Sequence, residues 1–122
     1  MDLLVTNNPL TKAECRDGLE CKLLNTDLHG VLIYVRDLIH KGHRLLTHPM
    51  SGSIKPNETP YKSVLISGNP GKTDSESVRI IEECIQTVQK FPPKQTSQQD
   101  LKDMQIIDHS LIKPALDNII YN

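Results

Sequence analysis

Two short polar strings carry most of the side-chain chemistry in this sequence. Thr6-Asn7-Asn8 closes the apolar run Leu3-Leu4-Val5, and Thr47-His48 leads into Ser51-Gly52-Ser53, with Lys55, Asn57 and Glu58 close behind. Hydroxyl and amide groups, together with backbone that glycine lets approach closely, can bind a small anion or carboxylate. His48 is the nearby group whose ordinary pKa falls near neutrality, and Lys55 or Glu58 could face it, which would allow proton transfer. The same residue types also make turns. Both readings stay open at this level, and no residue is assigned a catalytic role.

Other chemistry is thinner. His40 and His43 share a spacing that could present two metal ligands on one helix, but Gly42 between them ends the helix, so both histidines read as partners of its C-terminal dipole. His29 at a helix start and His109 beside Asp108 read as solvated. The string Gly68-Asn69-Pro70-Gly71-Lys72-Thr73 resembles the end of a phosphate-binding loop, yet that motif needs its first glycine at position 66, where Ile66 stands. Neither a Gly-x-Gly-x-x-Gly fingerprint nor a Gly-x-Ser-x-Gly elbow occurs. The 3 cysteines, Cys15, Cys21 and Cys84, are odd in number and widely spaced, which fits neither a disulfide framework nor a zinc site. Cys15, with Arg16 beside it, is the one candidate for a reactive thiol. No metal and no cofactor is called for.

The elements that must position these groups follow from periodicity. Leu3 to Thr6 reads as a buried strand, stopped by Asn7-Asn8-Pro9, with a brief helix from Pro9 to about Arg16. Leu19 to Asn25 alternates like a half-buried edge strand. Leu28, Val31, Leu32, Val35, Leu38 and Ile39 recur at helical spacing, with Thr26 or Asp27 as cap and Gly42 as C-terminal glycine. Arg44 to Thr47 reads as a third strand and Lys62 to Ser67 as a fourth, which could run antiparallel because no helix lies between them. Thr73 and Glu76 form a capping box for a helix whose stripe is Val78, Ile81, Ile85, Val88 and Phe91, stopped by Pro92-Pro93. In the tail, Leu101, Met104, Ile107 and Leu111, then Leu116, Ile119 and Ile120, predict two short helices separated at Pro114. The expectation is one α/β domain over residues 1–122, a small Rossmann-like sandwich. It has a mostly parallel sheet of about four strands, strand one central, flanked by helices, and a C-terminal helical segment over about 97–121. Ligands in such sheets bind at the carboxyl ends of strands, where Thr6-Asn7-Asn8 and Thr47-His48 would converge.

Composition narrows the function classes. Fourteen Lys+Arg against 15 Asp+Glu give a formal charge of −1, which removes the basic surface expected of a nucleic-acid binder. The 3 tyrosines and 1 phenylalanine offer no stacking platform for single strands. No apolar run approaches membrane-spanning length and the N-terminus lacks a secretory pattern, so a cytoplasmic location is expected, without membrane contact.

The segment HKGHRLLTHPMSGSIKPNETPYKSVLIS (His40 to Ser67), the opening LLVTNNPL (Leu3 to Leu10) and the later QIIDHSLIKPAL (Gln105 to Leu116) resemble the GrdX family, small proteins encoded beside the glycine reductase genes of amino-acid-fermenting anaerobic bacteria. The resemblance covers most of the chain. It implies an accessory protein of glycine, sarcosine or betaine reduction with no assigned activity, and reductase components as partners. It brings no established catalytic residue with it. The expected role is therefore non-catalytic binding or assembly. The alternative is a small-ligand protein or enzyme using the strand-end residues above. A homodimer through Leu116, Ile119 and Ile120 is a third expectation.

Overall fold

The computed structural model describes residues 1–50, 59–91 and 97–119. Its elements are β1 (Leu3–Thr6), α1 (Pro9–Ala13), β2 (Glu20–Leu23), α2 (Leu28–His40), β3 (Ser63–Ile66), α3 (Ser75–Gln89) and α4 (Gln98–Ile119). The sheet is three-stranded and mixed, in the order β2-β1-β3: β1 pairs parallel with β2 (Leu3↔Glu20 to Thr6↔Leu23) and antiparallel with β3 (Leu3↔Ile66 to Thr6↔Ser63). This corrects the expected four-stranded, mostly parallel Rossmann-like sandwich. β1 is central, but only one of its two pairings is parallel.

The missing strand has a local cause. Arg44 to Thr47 does lie beside β3, through Ser67 N donating to Arg44 O (2.9 Å) and Leu46 N donating to Leu65 O (2.9 Å), a bridge centred on Leu45↔Ile66. The next rung would take the Leu65 amide to the Leu46 carbonyl. That amide donates instead to Thr47 Oγ1 (3.1 Å), and the ladder stops after one bridge.

Each face of the sheet is covered. Val5, Val64 and Ile66 pack with Leu28, Val31, Leu32, Val35 and Ile39 of α2 and Ile81, Cys84 and Ile85 of α3. Leu4 and Leu65 pack on the other face with Ile112 and Leu116 of α4. Burial on both sides explains why β1 and β3 read as continuous apolar runs, whereas β2, exposed at the edge, alternates. Helix α2 begins on Asp27, which accepts from Gly30 N (2.8 Å). It ends at Gly42 (φ 106°), where Gly42 N reaches Ile39 O and His43 N reaches Leu38 O, the paired bonds of a left-handed glycine cap. Asp74, one residue after the expected Thr73, caps α3 by accepting from both Ser77 N and Ser77 Oγ.

Two expectations for the tail are corrected by α4. It is a single helix with Pro114 inside it. An interior proline costs about 3 kcal/mol. Ile112 and Leu116 flank it, both buried against Leu4 and Leu65, and each such side chain contributes about 1.5–3 kcal/mol, enough to offset the break. The buried stripe also differs from the expected one: Asp108, Ile112 and Leu116 face inward, while Ile106, Ile107 and Leu111 are exposed. Leu116 is thus used inside the chain and not offered to a second copy. Ile120 and the side chain of Ile119 lie outside the described residues.

Candidate functional site

The antiparallel register sets Thr6 opposite Ser63, and the pleat points both side chains toward α4. Asp108 meets them there, 5% exposed. Its Oδ2 accepts from Ser63 Oγ (2.8 Å) and from Asn8 Nδ2 (3.0 Å). Because Ser63 gives its proton to Asp108, the 2.7 Å contact between the two hydroxyls makes Thr6 Oγ1 the donor to Ser63 Oγ, and Thr6 Oγ1 itself accepts from Asn8 N (3.0 Å). Thr6, Ser63 and Asp108 therefore form one directed chain of hydrogen bonds inside the protein.

The strand-end asparagines are occupied in the same way. Asn8 Oδ1 caps α1 by accepting from Leu10 N (3.0 Å), and Nδ2 also donates to Gln105 O (2.9 Å). Asn7 Nδ2 donates to Thr26 O (3.0 Å) and Pro60 O (2.8 Å), while Oδ1 accepts from Lys62 N (2.9 Å). Together Asn7 and Asn8 tie β1 to the start of α2, to the approach to β3 and to α4.

Beside this network a cleft of about 50 Å³ is lined by Thr47, His48, Lys62, Ser63, Asp108 and Leu111, among others. Thr47 turns its hydroxyl to the Leu65 amide, and His48, exposed, accepts from Met50 N through Nδ1 (3.1 Å). Burial pushes the Lys62 ammonium below its ordinary pKa, with the Asp108 carboxylate opposing part of that fall. The cleft accordingly holds a partly desolvated cation next to a carboxylate already committed to two donors.

Of the residues expected to form a site, the structure brings together Thr6, Asn8, Thr47 and His48 around Asp108 and the cleft, with Asn7 supporting them from the adjoining turn. Ser51, Gly52, Ser53, Lys55, Asn57 and Glu58 lie outside the described residues. Lys62, Ser63 and Asp108 were not among the expected site residues. The signal for Asp108 was present: it falls at helical spacing with Met104, Ile112 and Leu116, an acid in line with apolar positions.

The remaining candidates resolve as follows. His43 Nδ1 lies 2.7 Å from Ser67 O, and His109 Nδ1 lies 3.2 Å from Thr11 Oγ1. No group of three or more His, Cys, Asp or Glu among the described residues is arranged to hold a metal. Burial raises the Cys84 thiol to about 11, and burial with the neighbouring Cys15 raises Cys21 to about 12, so both remain thiols at neutral pH. Among the described residues no helix is long and apolar enough to cross a membrane.

These features define a class: a small α/β protein with a mixed three-stranded sheet, whose strand-end polar groups are bonded to its own backbone and to one buried acid. The chain belongs to the GrdX-like protein family, whose model matches residues 3–117. No curated protein and no solved structure gives a significant match.

Proposed function

We propose that this chain is a non-catalytic accessory protein of the glycine reductase system, acting by binding a protein component of glycine, sarcosine or betaine reduction. Family membership over residues 3–117 provides the context. The observation that carries the reading is the closure of the strand-end network: Thr6, Asn7, Asn8 and Ser63 use their hydrogen-bonding groups within the chain, an arrangement suited to holding a shape. The intact chain, immobilised under anaerobic conditions, is expected to retain at least one purified reductase component. Retention of none, under both reducing and oxidising conditions, overturns the reading.

A second reading, binding of a small anion or carboxylate, is favoured by the partly buried Lys62 ammonium at the Thr47–His48 cleft. Thermal-shift screening with phosphates and amino acids tests it. A stabilising ligand should lose its effect with Lys62→Met or His48→Ala, and a ligand indifferent to both substitutions removes this cleft from consideration.

A further inference from the structure

The opposite end of the sheet carries a second hollow, separate from the cleft above. Here β1 begins and β3 ends, and the turn after β3 meets the loop after α2. The hollow measures about 270 Å³ and is lined by Asp2, Gly42, Arg44, Gly68, Gly71 and Lys72, among others. We infer that it is a binding site for a small oxyanion, a phosphate or carboxylate group, held between Arg44 and Lys72.

Charge is the first argument. Among the described residues Arg16, Arg36 and Arg79 each have a carboxylate within 4.0 Å, and Arg44 has none; Lys72 has none either. Two acids lie close by. Asp2, which lines the hollow, accepts from Gly68 N (3.3 Å) through Oδ1, and Asp74 is held below its ordinary pKa first by its bonds from Ser77 Oγ (2.6 Å) and Ser77 N (3.1 Å) and then by the charge of Arg44. Two cations around one recess concentrate an anion, and the arginine fork can bond two oxygens of a phosphate or carboxylate at once.

Rigid walls are the second argument. Gly71 N donates to Gly42 O (3.0 Å), and a Cβ on Gly42 would overlap the Gly71 backbone. Likewise a Cβ on Gly68 would overlap the carbonyl of the residue before Asp2. Ser67 N donates to Arg44 O (2.9 Å) and Arg44 N donates to Ser67 Oγ (2.8 Å), which fixes the backbone that carries the guanidinium. Asn69 and Lys72, both exposed on this rim, donate their amides to no backbone carbonyl among the described residues. A site whose backbone is set before the ligand arrives loses little ordering entropy on binding.

The inference does not depend on the partner-binding role. It is tested by amide NMR of the intact ¹⁵N-labelled chain at fixed ionic strength, titrated with sodium phosphate or sodium acetate, with chloride as reference. Saturable shifts are expected at Arg44, Gly68, Asn69, Gly71 and Lys72, with the rest of the spectrum unchanged. Tighter saturation by phosphate assigns the ligand to the phosphate class, and tighter saturation by acetate to the carboxylate class. Arg44→Gln and Lys72→Gln should each weaken binding about tenfold, and Lys62→Met, at the far cleft, should leave it unchanged. Shifts that never saturate, or that survive the double substitution, overturn the site, as does loss of binding with Lys62→Met.

Discussion

The two ends of the sheet are built on opposite plans. At the Thr6–Ser63 end, side chains of three segments (Thr6 and Asn8 at the end of β1, Ser63 of β3 and Asp108 of α4) are bonded to one another, and the one carboxylate at their centre accepts two donors. At the Leu3–Ile66 end, backbone is bonded to backbone through close glycine approaches, and the charged side chains Arg44 and Lys72 surround a hollow. One end is held by polar side chains bonded to one another; the other is held by main chain, helped by Asp2, His43 and Ser67, and leaves Arg44 and Lys72 without an ion pair among the described residues. Stability and binding should therefore separate between the two ends.

The largest effect is expected at the centre of the closed network. Asp108→Ala removes the acceptor of Ser63 Oγ and Asn8 Nδ2, both inside the protein, and stranding two buried donors should cost about 3 kcal/mol. Urea unfolding of the intact chain measures it. Thr6→Val, which removes an outer member, should cost about 1 kcal/mol. A loss below that of Thr6→Val would show that Asp108 does not organise this end.

Gly42→Ala probes the backbone plan of the other end. Position 42 has φ 106°, a region that side chains other than glycine enter at a cost of about 1–3 kcal/mol, and its Cβ would also displace Gly71. A loss of about 2 kcal/mol in the same unfolding experiment is expected. A neutral substitution would mean that the two loops are not held by this approach.

How much of this was legible beforehand depended on whether a residue's neighbours in sequence were also its neighbours in space. Helix α2 was readable because its apolar spacing, its Asp27 cap and its Gly42 end are all local, and they agree. The third strand was not, because what stops it is one hydroxyl, Thr47 Oγ1, reaching an amide 18 residues away. The face of α4 is hard to read for a related reason. Hydrophobicity alone ranks Ile107 and Leu111 as core and Asp108 as surface, but Ser63 and Asn8 make the position of Asp108 the polar one to bury, and Ile107 and Leu111 stay exposed. The strand-end residues Thr6, Asn7 and Asn8 are recognisable as special, while their partners Lys62 and Ser63 become visible only once the antiparallel register aligns β3 with β1.

A smaller effect is expected from Lys62, and its sign distinguishes a desolvated ammonium from a solvated one. Burial holds the group below its ordinary 10.5, and the charges of Asp108 and Cys84 oppose part of that fall. Between the folded value and 10.5 the unfolded chain binds more protons than the native one, so the contribution of Lys62 to stability rises with pH across that window and levels off above it. The wild-type stability minus that of Lys62→Met, followed through the alkaline range, should climb by at most about 1.4 kcal/mol per pH unit. A flat difference would place the ammonium in water, and a falling one would mean that the Asp108 charge outweighs burial; either overturns the desolvation argument for the Thr47–His48 cleft.

The smallest effect on stability completes the contrast. Arg44 and Lys72 are exposed and have no carboxylate within 4.0 Å among the described residues, so Arg44→Gln and Lys72→Gln break no ion pair, and Arg44→Gln removes only a longer-range, solvent-screened attraction to Asp74. Each should shift unfolding by no more than about 0.5 kcal/mol, the range of ordinary surface substitutions. If mutual repulsion across the hollow matters in the unliganded chain, the shift should be toward greater stability and should fade with added salt. A loss as large as that of Asp108→Ala would show that these cations, too, hold the fold, and the two ends would then share one plan.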